Sequence, residues 1–258
     1  MGGSFVSFED YRDRYETIRM ERHDGVLELT FHTDGGPLQW SAAGSHADCA
    51  DAFAQIARDE GNEVVIMTGT GDAFSGPLGD TTSVPRLSPR GWETIRRHGL
   101  QLTRGLLDIE AIVISAVNGP AIRHPEIPLV ADIVLAADTA TFQDSAHFRA
   151  GVVPGDGLHY LLPALMGPNR ARYFALTGQV LGVQEAKDLG LVAEILPREQ
   201  LLPRARELAE LVLRQPLLTR RYTKLVMTES LRRSTQELLG YGLALEGLAI
   251  ADEVAGQG

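Results

Sequence analysis

Cysteine is nearly absent from this chain, in which Cys49 is the one cysteine among 258 residues. A single thiol excludes an internal disulfide and any metal cluster built on cysteines. The Ala-rich surroundings of Cys49 predict a small packed side chain rather than a reactive one. Stability must therefore come from a hydrophobic core, and a chain of this length with 44% hydrophobic residues can build one.

Positive charge is also scarce. Lys and Arg number 24 against 34 Asp and Glu, which gives a formal net charge of -10. Such a chain repels phosphates, so we expect neither nucleic acid nor an anionic membrane surface among its partners. No apolar run approaches the roughly 20 residues that cross a bilayer. The N-terminus has no basic region followed by an apolar stretch. These absences predict a cytoplasmic protein.

The usual signatures of phosphate and metal sites are missing as well. The Gly69-Thr70-Gly71 turn is not followed by the Gly-Lys-Ser/Thr of a phosphate loop. A metal site could be imagined from His124, His147 and an acidic residue, but no His-x-x-x-His or His-x-His spacing supports it. We therefore predict a protein without a metal or another cofactor.

Alternating strand and helix patterns predict the fold class. Ile18–Arg22 and Val26–His32 alternate apolar and polar residues on either side of a short turn, which is typical of a hairpin. Periodicity further predicts a short N-terminal helix at 8–16, strands at 64–68, 112–117, 132–136 and 191–196, and helices at 44–58 and 92–107. This order favours an α/β core with parallel strands.

From residue 198 onward the pattern is helical only. Its expected divisions are Pro203, Pro216 and Gly240-Tyr241-Gly242. A helical tail cannot bury its apolar face by itself, so it must lie on the core or on a neighbouring subunit. We therefore divide the chain into a core domain, residues 1–197, and a C-terminal helical oligomerisation region, residues 198–258. The basic residues Arg220 and Lys224 in the tail are typical of a solvated helix face.

Candidate functional groups concentrate in the stretch Ser115–Pro163. His124 and His147 each lie where the backbone is expected to change direction, and Asp156 lies inside a Pro-Gly-Asp-Gly turn. A histidine can accept and return a proton near neutral pH when an acid orients its other nitrogen. His147 and Asp156 fit that description. They are nine residues apart, so the turn, and not one helix face, must bring them together.

Four segments of the chain point to its fold. They are Val117-Asn118-Gly119-Pro120, Asp132-Ile133-Val134-Leu135-Ala136, Ala140-Thr141-Phe142 and Gly151-Val152-Val153-Pro154-Gly155. These segments resemble the crotonase (enoyl-CoA hydratase/isomerase) superfamily, and the similarity runs from about residue 16 to residue 250. The resemblance implies an α/β fold with a ββα-superhelix core and a C-terminal helical trimerisation region. It also implies assembly as a homotrimer or a dimer of trimers.

Three positions depart from the superfamily members that act on CoA thioesters. Those enzymes carry a Gly-rich run whose amides bind the thioester oxyanion, and this chain has His124-Pro125-Glu126-Ile127-Pro128 there. In the other half of that oxyanion hole, Pro77 has no amide hydrogen. His147 stands where hydratases have an acidic residue. Together with Trp40, Phe142-Gln143-Asp144, Val153–Gly157 and Glu246, these departures resemble the β-diketone hydrolases typified by 6-oxocamphor hydrolase.

This closer resemblance implies that water cleaves a carbon–carbon bond between two ketones, without CoA or a metal. The substrate would be a cyclic or hydrophobic diketone and the product a keto acid. The implied roles are water activation by His147, orientation of His147 by Asp156, binding of the ketone oxygens by His124 and Trp40, and a place at the substrate pocket for His46 and Glu246.

Plainer roles are open for the same residues. Asp156 could cap the helix predicted from Leu158, His124 could be satisfied by loop backbone, Trp40 could be plain core, and Glu246 could be a solvated helix position. Two other functions are open as well. One is a divergent enzyme of CoA thioesters, a hydratase, isomerase or hydrolase. The other is a non-catalytic oligomeric binding protein.

Overall fold

The computed structural model describes residues 6–41, 44–76 and 87–256. Their strands are β1 (Ile18–His23), β2 (Val26–Phe31), β3 (Leu38–Gln39), β4 (Val64–Gly69), β5 (Ser75–Gly76), β6 (Ile112–Val117), β7 (Ile133–Ala137), β8 (Thr141–Phe142), β9 (Leu181–Gly182) and β10 (Glu194–Leu196). Their α-helices are α1 (Ser45–Arg58), α2 (Pro89–Asp108), α3 (Glu126–Leu129), α4 (Leu158–Met166), α5 (Pro168–Thr177), α6 (Val183–Asp188), α7 (Arg198–Leu213) and α8 (Leu217–Gly256). The predicted α/β class is confirmed.

Six strands form the main sheet in the order β1-β2-β4-β6-β7-β10. The β1–β2 hairpin is antiparallel and the other pairs are parallel. The hairpin turns through Asp24 and Gly25, which both have positive φ. Strands β4 and β6 are almost fully buried, because a parallel sheet is covered on both faces and its strands are apolar throughout.

The backbone after β6 is tied to neighbouring strand ends. Asn118 accepts a hydrogen bond from the backbone N–H of Gly69, at 3.0 Å, and so links the ends of β4 and β6. Ala121 forms isolated bridges to Ser75 and Phe142. These contacts fix the path of the segment that leads to His124.

The long helix α8 packs on the core against α2, α4 and β6. Lys224 anchors it, because its ammonium donates to the carbonyl of Ala111 at 2.9 Å and lies 2.8 Å from Asp132. Lys224 and Arg220 are both buried, so the predicted solvated face is wrong. We find no helix within the three described ranges that is long and apolar enough to cross a membrane.

Two sequence predictions about helices need correction. The N-terminal helix at 8–16 is only a 3₁₀ turn at Phe8–Asp10. In the tail, Pro216 separates α7 from α8, but Pro203 lies inside α7 and the Gly240-Tyr241-Gly242 run lies inside α8. The glycine at 242 serves close packing and not a helix stop, since a Cβ there would overlap His159 and the carbonyl of Gly155.

Candidate active site

One cavity of about 210 Å³ brings the predicted site residues together. Its polar wall includes Trp40, His46, His124, His147, Asp156 and Glu246. Its apolar wall includes Trp92, Ile95 and Leu102 of α2 and Leu243 and Ile250 of α8. Residues 77–86, which include Pro77, lie outside the described residues. A cavity with one apolar wall and converging polar groups is the usual form of a small-molecule site.

Asp144 holds His147 from one side. The Nδ1 of His147 lies 2.7 Å from Oδ1 of Asp144, and both side chains are buried. On its other nitrogen, Nε2, His147 faces Asp156 Oδ2 at 3.3 Å. The predicted partner Asp156 therefore does lie beside His147, but Asp144 makes a shorter contact on the opposite ring nitrogen. Asp156 lies on the side of the ring that faces the other cavity groups.

Asp156 bridges two histidines. The same oxygen, Oδ2, lies 3.0 Å from Nδ1 of His124 and 3.3 Å from Nε2 of His147. Burial would raise the pKa of Asp156, but the positive charges of His147 and His124 outweigh it and lower that pKa. The alternative of a helix cap is wrong, because the N-cap of α4 is Gly157 and no side chain of the described residues caps it.

The charges around His147 favour its protonated form. Burial would lower its pKa, but the carboxylates of Asp144 and Asp156 outweigh burial and raise the pKa well above 6.5. The predicted water-activating base needs a neutral imidazole. In this arrangement, the ionised member of the pair is Asp156, so the two residues must be treated as one unit that shares protons.

Both nitrogens of His124 have partners. Nδ1 lies 2.6 Å from Oε1 of Glu126, and Nε2 lies 2.8 Å from Nε2 of His46. Burial would lower the pKa of His124, but the charge of Glu126 and the hydrogen bonds to Asp156 and Glu126 raise it to about 9. The side-chain partners exclude the alternative of a loop histidine satisfied by backbone. A ketone oxygen that binds His124 must therefore share a ring nitrogen with one of these partners or displace that partner.

His46 and Trp40 lie beside His124. The rings of Trp40 and His124 have centroids 4.5 Å apart, and those of Trp40 and His46 are 5.2 Å apart. Burial, followed by the positive charge of His124, lowers the pKa of His46 well below 6.5, so His46 is neutral. The indole N–H of Trp40 is buried without a hydrogen-bond partner among the described residues. A buried donor of this kind suits a carbonyl-bearing ligand.

Glu246 reaches the site from α8 of the same chain. Its Oε1 lies 3.7 Å from Nε2 of His147. The side chain is buried, so the solvated helix position is wrong. Burial raises the pKa of Glu246 to about 8 despite the opposing charge of His147, and the charge of Asp156 adds to the increase. At neutral pH this residue is therefore mainly a neutral carboxylic acid that can donate a hydrogen bond.

Sequence reasoning missed the roles of Asp144 and Glu126. Both occur in the segments that carry the family resemblance, yet nothing in their spacing shows which ring nitrogen they meet. His124 has φ of 53°, a left-handed backbone that costs a non-glycine residue roughly 1 kcal/mol or more. This unusual backbone contributes to the placement of the His124 ring beside Glu126, and no periodic pattern predicts it.

A metal could be considered at three of these residues. His124, Glu126 and Asp156 offer donor atoms within 4.8 Å of one another. Two ligands on one tetrahedral zinc ion lie about 3.3 Å apart, given metal–ligand distances of about 2.0 Å. The Nδ1–Oε1 distance of 2.6 Å between His124 and Glu126 is shorter than that and fits a charge-assisted hydrogen bond. The residues as arranged therefore fit proton sharing better than a metal.

Comparison with known proteins assigns this chain to a family. The sequence model of the family described as Enoyl-CoA hydratase/isomerase matches residues 23–245. The chain belongs to the enoyl-CoA hydratase/isomerase family. The predicted crotonase fold is thereby confirmed.

Family members that resemble this chain have different activities. A solved β-diketone hydrolase from the cyanobacterium Anabaena sp. PCC 7120, bound to (S)-3-oxocyclohexyl acetic acid, is 43% identical with a TM-score of 0.88, and the match covers 94% of this chain and 97% of that one. A crotonyl-CoA hydratase from Syntrophomonas wolfei is 27% identical over 93% of this chain and 92% of its own length. A probable peroxisomal enoyl-CoA hydratase from Arabidopsis thaliana is 32% identical over 77% of this chain and 72% of its own length.

Proposed function

We propose that this protein is a hydrolase that cleaves a carbon–carbon bond of a cyclic, hydrophobic β-diketone to give a keto acid. The observation that carries the proposal is the polar wall of the cavity. There, His147 and Asp156, whose facing atoms Nε2 and Oδ2 are 3.3 Å apart, lie beside the side-chain donors His124 and Trp40, and the ring centroids of His124 and His147 are 6.4 Å apart. The similarity to the Anabaena hydrolase supports the proposal.

The site supplies what a retro-Claisen cleavage needs. The unit formed by His147 and Asp156 accepts a proton from water as the water oxygen bonds to one carbonyl carbon. The tetrahedral intermediate then breaks its carbon–carbon bond, and the electron pair moves onto the second ketone as an enolate. Donors from the group of His124, His46 and Trp40 stabilise the enolate oxygen. The pair returns one proton to the enolate carbon, so water is consumed and no cofactor is required.

The test is a panel of cyclic and bicyclic 1,3-diketones followed by loss of enol absorbance, with purified protein and no CoA. We expect hydrolysis by the wild type, and a loss of about 100-fold or more for His147→Ala, since proton transfer by a positioned side chain contributes about 10²–10⁴-fold. His23→Ala, in the exposed part of the β1–β2 hairpin, should hydrolyse at the wild-type rate. Wild-type inactivity across the panel would reject the proposal.

A second candidate function is hydration or hydrolysis of a CoA thioester. The names of the Syntrophomonas and Arabidopsis relatives favour it. Calorimetry with crotonyl-CoA separates the two candidates, because a thioester enzyme must bind CoA saturably while a diketone hydrolase has no need to. Saturable binding together with thioester turnover, in a protein that leaves diketones unchanged, would establish the second function in place of the first.

A further inference from the structure

Asp144 is built into the core beside His147. It follows β8, where Gln143 donates to the carbonyl of Gly178 at 2.9 Å and the N–H of Ser145 donates to the carbonyl of Ile122 at 3.0 Å. Asp144 Oδ1 also accepts from the N–H of Ala146 at 3.3 Å. Hydrogen bonds made by the residues on both sides therefore hold this carboxylate in place, and it meets His147 on Nδ1.

Glu126 has the same relation to His124. It is the first residue of α3 and is 2% exposed, and its Oε1 meets Nδ1 of His124 at 2.6 Å. Neither carboxylate contributes to the polar surface of the protein, since both are buried. Burying a charge is costly unless a partner is fixed beside it. In both cases that partner is a ring nitrogen of a site histidine.

We propose that Asp144 and Glu126 are positioning residues, each of which fixes the ring orientation of one histidine and holds the proton on its Nδ1, Asp144 for His147 and Glu126 for His124. The roles of the histidines themselves rest on the proposed function. With Nδ1 held by its own carboxylate, each histidine turns Nε2 to its neighbour in the site, His147 to Asp156 and His124 to His46. Asp156 Oδ2 also lies 3.0 Å from Nδ1 of His124, a longer contact than the 2.6 Å of Glu126, so Asp156 is a shared partner of both rings.

The first test observes the Nδ1 protons of the free protein and needs no substrate. In wild-type protein with ¹⁵N-labelled histidine, NMR should show a strongly hydrogen-bonded proton on Nδ1 of both His124 and His147. Their signals are assigned with the His124→Gln and His147→Gln variants. Asp144→Asn should remove or shift the Nδ1 signal of His147 and spare that of His124, and Glu126→Gln should do the reverse. Each variant is thus the matched control of the other.

Two outcomes would count against the proposal. An unprotonated Nδ1 on either ring of the wild type would overturn it, and this observation does not depend on any variant folding. Equal changes at both rings in both variants would also overturn it, because they would indicate one shared network and not two dedicated carboxylates.

The second test uses diketone turnover. Asp144→Asn should lower kcat about 10- to 100-fold, as loss of an orienting partner often does, with little change in KM. Glu126→Gln should act mainly on KM, because His124 is proposed to hold a ketone oxygen. In the His147→Ala background, Asp144→Asn should have no further effect if it acts only through His147, and a full additional loss would contradict that. If the wild type hydrolyses no diketone, the proposed function fails while the NMR result still decides the positioning roles.

Discussion

At the scale of single residues, the site is unusual for the number of titratable groups it buries. Glu126, Asp144, Asp156 and Glu246 share one cavity region with three histidines, and burial sets the direction of several pKa values. The pKa of Glu126 rises to about 7 through burial and the charge of Asp156. Acidic groups kept partly protonated near neutral pH are common at catalytic sites and rare elsewhere. The site therefore holds protons that the unfolded chain would release.

Glu246 gives a pH-dependent stability prediction. Its pKa is about 8 in the folded protein against an ordinary 4.5. Between these values the folded state binds more protons than the unfolded state, so stability falls as pH rises, by at most about 1.4 kcal/mol per pH unit. Glu246→Gln should lose less stability between pH 5 and pH 9, measured by urea unfolding. The control is Glu237→Gln at an exposed position on the same helix, and equal slopes for all three proteins would contradict the prediction.

The sequence was enough to predict which residues form the site, but not which of them contact one another. The family resemblance predicted His147, Asp156 and Trp40 as site residues, and the structure places all three at one cavity. The pairing of His147 with Asp144 was missed, because it depends on ring orientation and on a short loop after β8. Proton location was missed too, since it follows from burial and from several charges acting together.

At the scale of elements, the contact between the Asp156 turn and α8 decides the shape of the site. Gly155 and Gly242 approach so closely that a Cβ on either would overlap the backbone carbonyl of the other. This approach brings Glu246, one turn further along α8, to within 3.7 Å of His147. Small residues at a helix contact permit this separation where larger ones would force the elements apart.

Gly242→Ala tests that contact. It should destabilise the protein by about 1–3 kcal/mol, as overpacking of a tight contact does, and lower turnover because the Asp156 turn must move. The control is Gly240→Ala on the same helix, where an added Cβ meets nothing within 4 Å. Removing this helix-interior glycine should stabilise the protein by up to about 1 kcal/mol. Chemical unfolding and diketone turnover measure both effects, and similar behaviour of the two variants would contradict the role of Gly242.

Elements were predicted best where the pattern was long and strongly apolar. The runs at 64–68 and 112–117 became β4 and β6, because buried parallel strands need continuous β-branched residues. The helix predicted at 8–16 was wrong beyond its first turn, although its aromatic residues Phe8 and Tyr11 do pack into the core. Glycines in α8 misled the prediction, since a glycine needed for close packing looks the same in sequence as one that ends a helix.

At the scale of the whole molecule, α8 has an apolar outer face. Leu218, Tyr222 and Val226 lie at i, i+4 and i+8 on one side of the helix, and Val226 is 77% exposed. Exposed apolar stripes of this kind mark interaction surfaces. We propose that this face contributes to assembly as a homotrimer or a dimer of trimers.

Sedimentation tests the assembly. We expect a mass of three or six times the 28.0 kDa chain. Val226→Glu should shift the mass toward the single chain, because a charge in an apolar interface is costly to desolvate. Gln236→Glu adds the same charge at an exposed polar position of α8 and should leave the mass unchanged. Sedimentation of the wild type as a single chain would contradict the proposed assembly.

The position of α8 in the chain also sets the order in which the site matures during synthesis. A chain is made from its N-terminus, so the six-stranded sheet and the turn that carries Asp156 exist before α8 does. Until α8 docks, the cavity lacks the wall formed by Leu243, Glu246 and Ile250. His147 and Asp156 are then open to water, which screens the charges that set their pKa values. A nascent chain with a finished sheet therefore carries His147 and Asp156 without the environment that sets their protonation.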